Sequence, residues 1–140
     1  MYVLDTNVVS ELRKVGNGKA HRGVTEWAAS IPSPNLYLSV ITILELEQGV
    51  LLVERRDRRQ GKALRQWLED RVIPAFAGRV LPIDTDVARQ CARLHVPDPK
   101  SERDALIAAT ALVHGMIIVT RNEDDFAACG VRVMNPWLHR

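Results

Sequence analysis

The sequence predicts an α/β fold: a three-layer α/β/α domain built on a roughly five-stranded parallel sheet. Three observations predict it. Short apolar runs without polar alternation, Tyr2-Val3-Leu4 and Met116–Val119, read as strands buried on both faces. Segments of helical spacing separate such runs, and strand–helix alternation is the pattern of a parallel sheet covered on both sides. The chain is 140 residues long, 46% apolar and 26% charged, which suits one folded domain over residues 1–140 with a core of its own.

The elements follow in order. The first strand ends on Asp5-Thr6-Asn7, residues that suit a helix N-cap, ahead of a short helix over Val8–Lys14 and a Gly16-Asn17-Gly18 turn. Val24–Ile31 is a second helix, stopped by Pro32 and Pro34. Leu36–Val40 is a strand. Ser39 or Thr42 caps a long helix over Ile43–Arg56, whose apolar stripe is Leu44, Leu46, Val50, Leu51 and Val53. Gln60–Phe76 is a further helix, with Leu64, Trp67, Leu68, Val72 and Ile73 on one stripe. Arg79–Ile83 returns to strand, and Asp84-Thr85-Asp86 caps a helix over Val87–Leu94. After a proline-containing loop at 96–100, a helix runs from Ser101 to His114, and Gly115 stops it. Met116–Val119 is a strand, Glu123–Ala128 a short helix and Val131–Met134 a last strand.

Composition narrows the function. The net charge is +2, from 19 basic and 17 acidic residues, so contact with a polyanion is permitted but not demanded. The basic residues are unevenly placed. Arg55, Arg56, Arg58, Arg59, Lys62 and Arg65 fall within Glu54–Arg65 beside only two acids. That run reads as a solvated helical corner, an RNA backbone path or a docking surface for an acidic partner. Cys91 and Cys129 form no disulfide framework and no C-x-x-C pair, which points to reduced thiols and a cytoplasmic protein. No signal peptide and no membrane span are expected. His21, His95, His114 and His139 share no metal-ligand spacing, and Trp27, Trp67 and Trp137 read as core or interface.

The acids carry the chemistry. In open parallel sheets, ligands bind outside the carboxyl ends of the strands. Asp5 closes the first strand, Glu45 follows the second, Asp104 opens the Ser101–His114 helix, and Thr120–Asp125 follows the Met116–Val119 strand. Clustered carboxylates repel and raise one another's pKa unless a cation compensates, and Mg²⁺ prefers carboxylate oxygens. Such a site can activate water against a phosphodiester. Taken singly each acid also has an ordinary role, as cap, solvated helix residue or partner of the helix dipole. Asp84 and Asp86 read as caps. Asp104 is harder to set aside, because Ala105-Leu106-Ile107-Ala108-Ala109 behind it makes the helix a buried one.

Five motifs occur in one order: DTN at 5–7, ITILEL at 41–46, DALIAATAL at 104–112, TRNEDDF at 120–126 and VRVMNPW at 131–137. Together they resemble the PIN-domain family, in particular the VapC-type toxins of bacterial toxin–antitoxin modules. FAGRVLPID at 76–84 resembles the linking segment of the FitB-like branch. The resemblance implies a PIN-like domain that cleaves RNA by metal-activated water, using Mg²⁺, for which Mn²⁺ can substitute. It implies that Asp5, Glu45 and Asp104 hold the metal and that Thr6 and Asn7 orient the site. The family's fourth acidic position falls in TRNEDDF, where this chain departs from the all-acid pattern. Asn122 and Asp125 share that position, and Arg121 meets a substrate phosphate or pairs with an acid. The implied partners are an RNA substrate, a cognate antitoxin, operator DNA only through the antitoxin, and a second copy in a homodimer. Asn122 leaves room for a catalytically weak homologue that acts mainly within a repressor complex. A haloacid-dehalogenase-like phosphatase needs a second aspartate where Asn7 stands, and a receiver-like signalling domain needs a strand-end lysine and leaves Glu45 idle.

Overall fold

The computed structural model describes residues 1–139; Arg140, the last residue of the expected domain, lies outside them. Its strands are β1 (Tyr2–Leu4), β2 (Leu36–Ser39), β3 (Val80–Leu81), β4 (Ile117–Val119) and β5 (Val133–Met134). Its α-helices are α1 (Thr6–Leu12), α2 (Arg22–Ser30), α3 (Val40–Arg56), α4 (Arg58–Trp67), α5 (Ile73–Ala75), α6 (Thr85–Leu94) and α7 (Glu102–His114). The strands lie in the order β3-β2-β1-β4-β5, and every pairing is parallel. Tyr2 pairs with Leu36 on one side and with Ile117 on the other, so β1 is central.

The sheet is buried on both faces, as the unbroken apolar runs require. Leu4 and Val119 point into a core with Val8, Val24, Leu38, Leu46 and Leu68. Val3 and Ile118 point the other way, against Ile107, Ala108, Ala111 and Phe126. The run of alanines in α7 lets that helix lie close to the sheet, and α6 packs on its far side through Val87 and Cys91. Among the described residues no helix is long and apolar enough to cross a membrane.

Several element boundaries differ from the sequence reading. The first helix begins at Thr6 rather than Val8, because Asp5 itself is the cap and accepts from the Thr6 N–H at 2.8 Å. It ends at Leu12, and Arg13–Asn17 form a 3₁₀ segment. Ser39, not Thr42, caps α3, accepting from the Ile41 N–H. Leu44 and Leu51, expected in the apolar stripe, are 46% and 54% exposed. Leu46 and Val50 of that stripe are buried as expected, with Ile41 and Thr42; apolar residues run most of the way round α3, so periodicity alone drew the buried face too wide.

The expected Gln60–Phe76 helix is α4, capped by Asp57, then a π-helical turn at Leu68–Val72, then α5. Pro74 accounts for the break. It lacks an N–H and its ring crowds the carbonyl four residues back, and a wider turn absorbs both. Ile73, expected on the buried stripe, is exposed there. Glu123–Ala128 is not a helix but two 3₁₀ turns, Glu123–Asp125 and Ala127–Cys129.

The basic run also divides. Arg65 turns to Glu47, Glu54 and Glu69, at 2.6, 3.1 and 3.4 Å, which holds its guanidinium far above the ordinary range. Arg55, Arg56, Arg58, Arg59 and Lys62 stay exposed around the α3–α4 turn.

Candidate metal site at the sheet edge

The chain leaves β1 toward β2 on one side of the sheet and leaves β4 toward β5 on the other. The carboxyl ends of β1 and β4 therefore flank the point where strand order reverses, where open α/β sheets bind ligands. Asp5 follows β1 and Thr120 follows β4, and the Asp5 N–H donates to the Val119 carbonyl at 2.8 Å. The register of the sheet thus brings two loops 115 residues apart into one hydrogen-bonded network.

Asp5 is 7% exposed. Its Oδ1 accepts from the Thr6 N–H, and its Oδ2 accepts from the Thr120 hydroxyl at 2.8 Å and from the Asn7 amide at 3.2 Å. The buried Thr120 hydroxyl in turn accepts from the Asn122 N–H at 3.0 Å and lies 3.3 Å from the Asn7 amide nitrogen. Asn7 Oδ1 accepts from the Arg121 N–H at 3.2 Å. Thr6 donates from its hydroxyl to Glu45 Oε1 at 2.7 Å, fixing that carboxylate in the second turn of α3. Arg103 reaches the other oxygen of Glu45, at 3.7 Å.

The charges confirm the crowding. Burial pushes the Asp5 carboxyl above its ordinary value, the Thr120 and Thr6 hydrogen bonds pull it back, and Glu45 and Asp125 push it up again. Asp104 is raised too, first by burial, then by the charges of Asp125, Asp5 and Glu45. Four carboxylates, Asp5, Glu45, Asp104 and Asp125, therefore share one electrostatic neighbourhood. Asn122 touches this network through its backbone N–H, and its residue is exposed. Among the described residues Arg121 pairs with no acid; its guanidinium lies over the Trp137 ring, 5.4 Å from the centroid.

Sequence reasoning passed over Thr120, Thr42 and Arg103. Thr120 had a signal available, since it closes β4 as Asp5 closes β1. Thr42 is buried and places its hydroxyl 3.3 Å from that of Thr6. Nothing local marks Arg103, which is seen only once α3 and α7 are side by side.

A hard cation fits this donor set. Four carboxylates gather at the sheet edge, and among the described residues Arg103 is the only cation in contact with one of them. A second group, Cys91, His95 and Glu102, brings potential ligand atoms within 4.8 Å of one another. It is poorly suited to a metal. His95 Nδ1 already accepts from the Lys100 N–H at 3.0 Å, so the neutral ring carries its proton on Nε2, the atom 3.5 Å from Glu102. Burial also pushes both cysteine thiols up, away from the thiolate form.

Carboxylates gathered at the reversal point of a parallel sheet are the frame of a known family. The family model described as PIN domain matches residues 2–131, and the chain belongs to the PIN domain family. Within it, the chain is similar to the VapC ribonuclease Y4jK of Sinorhizobium fredii (strain NBRC 101917 / NGR234), 41% identical over 142 residues, with 98% of each chain covered. It is also similar to Toxin FitB of Neisseria gonorrhoeae (strain ATCC 700825 / FA 1090), 39% identical over 144 residues, covering 98% of this chain and 99% of that one. A chain in the structure titled FitAB bound to IR36 DNA fragment superposes with a TM-score of 0.89 at 34% identity, covering 100% of this chain and 98% of that one.

Proposed function

We propose that this chain is a single PIN-like domain acting as a Mg²⁺-dependent endoribonuclease, the toxin of a VapBC-type toxin–antitoxin module. The observation that carries the reading is the gathering of Asp5, Glu45, Asp104 and Asp125 in one electrostatic neighbourhood, where among the described residues Arg103 alone pairs with one of them. The names of the relatives, a VapC ribonuclease and a FitB toxin, support the choice of substrate and role. Asp5, Glu45 and Asp104 would hold the metal, with Asp125 beside them and Asn122 contributing through its backbone. A bound Mg²⁺ supplies charge stabilisation at the phosphodiester and a more acidic water.

The chain's own residues prepare that site. Thr120 and the Thr6 N–H hold Asp5 in one orientation and favour its charged form. Thr6 fixes Glu45, and Asn7 ties the β1 loop to the β4 loop through Arg121. Arg103 neutralises Glu45 at the rim and is placed to meet a substrate phosphate. Arg121, held on Trp137, offers a second cation further out. In the same reading the protein works in the cytoplasm as a homodimer. It is restrained by a cognate antitoxin and meets operator DNA only through it, in keeping with the DNA-bound FitAB complex.

The purified protein should cut RNA with Mg²⁺ or Mn²⁺ and stop with EDTA. Asp5→Asn should abolish cutting while the protein stays folded. Cleavage that persists in the absence of metal would sink the reading.

A further inference from the structure

Asp5 and Glu45 are each held by hydrogen bonds that cross from one element to another. Among the described residues Asp104 has no such frame. The one group that draws its carboxyl back down is the hydroxyl of Ser101, the residue that caps α7. Where Asp104 stands is therefore set by how α7 begins. The chain reaches that point from α6 through residues 96–100, a loop in which Pro97 and Pro99 have no N–H to give. What ties the end of this loop back to α6 is the Lys100 N–H, which donates to His95 Nδ1 at 3.0 Å.

His95 closes α6 as its C-terminal cap. Its Nε2 is buried without a hydrogen-bond partner, near the Cys91 thiol and the Glu102 carboxylate. A buried polar atom left unpaired weakens a fold, so an aliphatic side chain would fill that space better if packing were the ring's whole task. What the imidazole supplies, and an aliphatic group cannot, is the Nδ1 acceptor.

We propose that His95 is a positioning residue for the metal site: by accepting from the Lys100 N–H it fixes the start of α7 and so holds Asp104 beside Asp5 and Glu45. The proposal rests on the metal-site reading of the acids and names what keeps their third corner in place. The connection is short. Lys100 adjoins Ser101, which caps α7 and acts on Asp104, and Glu102 in the first turn lies 3.5 Å from the same ring. A restraint is needed because repulsion works against the site. The charges of Asp125, Asp5 and Glu45 all press on Asp104. A helix start free to swing would relieve that repulsion by withdrawing Asp104, and the ligands would have to be gathered again whenever a cation arrived. Groups that orient metal ligands raise affinity by removing that step.

Three substitutions separate the acceptor from the ring. In His95→Asn, Oδ1 stands at the same place along the side chain as Nδ1 and can accept from the Lys100 N–H. In His95→Gln the carbonyl lies further out, toward Nε2, and His95→Leu removes both nitrogens. Mn²⁺ affinity is read from the paramagnetic resonance signal of the free ion, and melts of metal-free protein check folding. The Asn variant should bind Mn²⁺ as the wild type does. The Gln and Leu variants should bind it roughly 10-fold more weakly, the lower end of what orienting groups contribute to a metal site. Their RNA cutting should be slow at limiting metal and recover at saturating metal. If the Leu variant does not fold, the Asn and Gln variants decide. A Gln variant that binds as tightly as wild type overturns the proposal. So does an Asn variant as weak as the Gln one, because the ring then acts through something other than Nδ1. Asp104→Asn controls for place: if it keeps a Mn²⁺ that His95→Gln loses, the ring itself holds the ion and the positioning role falls. A wild type that binds Mn²⁺ through Asp104 but cuts no RNA overturns the ribonuclease reading and leaves this proposal standing. A wild type that binds no Mn²⁺ overturns both.

Discussion

Replacing Thr120 by valine keeps the side chain's shape and deletes one oxygen from the middle of the site. Thr120 is fully buried, and its hydroxyl donates to Asp5 at 2.8 Å while accepting from the Asn122 N–H at 3.0 Å. A hydrogen bond to a charged group is worth about 1.5–3 kcal/mol, and a buried donor left without a partner costs about 1–3 kcal/mol. Asn122 is exposed enough for water to recover part of the second amount. The expected loss is about 2–4 kcal/mol, or roughly 6–15 °C in Tm at neutral pH for a chain of this size. The pH dependence separates this cause from general damage. The Thr120 bond is the largest influence holding the buried Asp5 carboxyl down, so without it the carboxyl rises further. A group whose folded pKa lies above its unfolded value stabilises the fold below the unfolded pKa and loses that contribution as pH rises through the folded one. The valine penalty should therefore be full at neutral pH and shrink toward about pH 4. Thr120→Ser, which keeps the hydroxyl, should recover most of the stability. Differential scanning calorimetry at several pH values is the assay. A penalty below about 1 kcal/mol, or one equal at both ends of the pH range, would refute the assigned role of Thr120.

Further tests probe the acids and the packing. Asp104→Asn removes a carboxylate that burial and three like charges raise, so metal-free protein should melt at or above the wild-type temperature at neutral pH. That gain should fade as pH falls into the ordinary carboxylate range, because the raised wild-type carboxyl takes up its proton on the way, and the stabilisation that Mg²⁺ gives the wild type should be lost in the variant's melts. Gly61→Ala should destabilise by about 1–3 kcal/mol in urea although alanine is the better helix former. A Cβ at Gly61 would come within 2.5 Å of the Glu54 Cα, so α3 and α4 must part to admit it. An unchanged midpoint would mean the two helices are not tightly packed there.

Much of the frame was legible in the chain because it is local chemistry. β1, β2 and β3 each lead into an α-helix through a capping residue, Asp5, Ser39 and Asp84, and a cap is recognised from its own few neighbours. Gly115, with φ of 64°, stops α7 where the sequence placed the stop, since that conformation suits glycine. The unbroken apolar runs gave a buried parallel sheet. Asp5, Glu45 and Asp104 were marked by their positions just beyond strands and at the mouth of an apolar helix.

What the sequence determined by itself was therefore the alternation of elements, the caps between them and which acids sit at their ends. Only the tertiary structure decided how those ends meet. Strand order reversing at β1 sets Thr120 beside Asp5, although 115 residues separate them, and no local pattern encodes a strand's neighbour. The pairing of α3 with α7 brings Arg103 to Glu45, and the pairing of α3 with α4 draws Arg65 away from the basic corner to Glu47 and Glu54, with Glu69 beside them. Which face of α3 is buried follows from packing against the sheet and α4, because a helix apolar on most sides carries no instruction of its own.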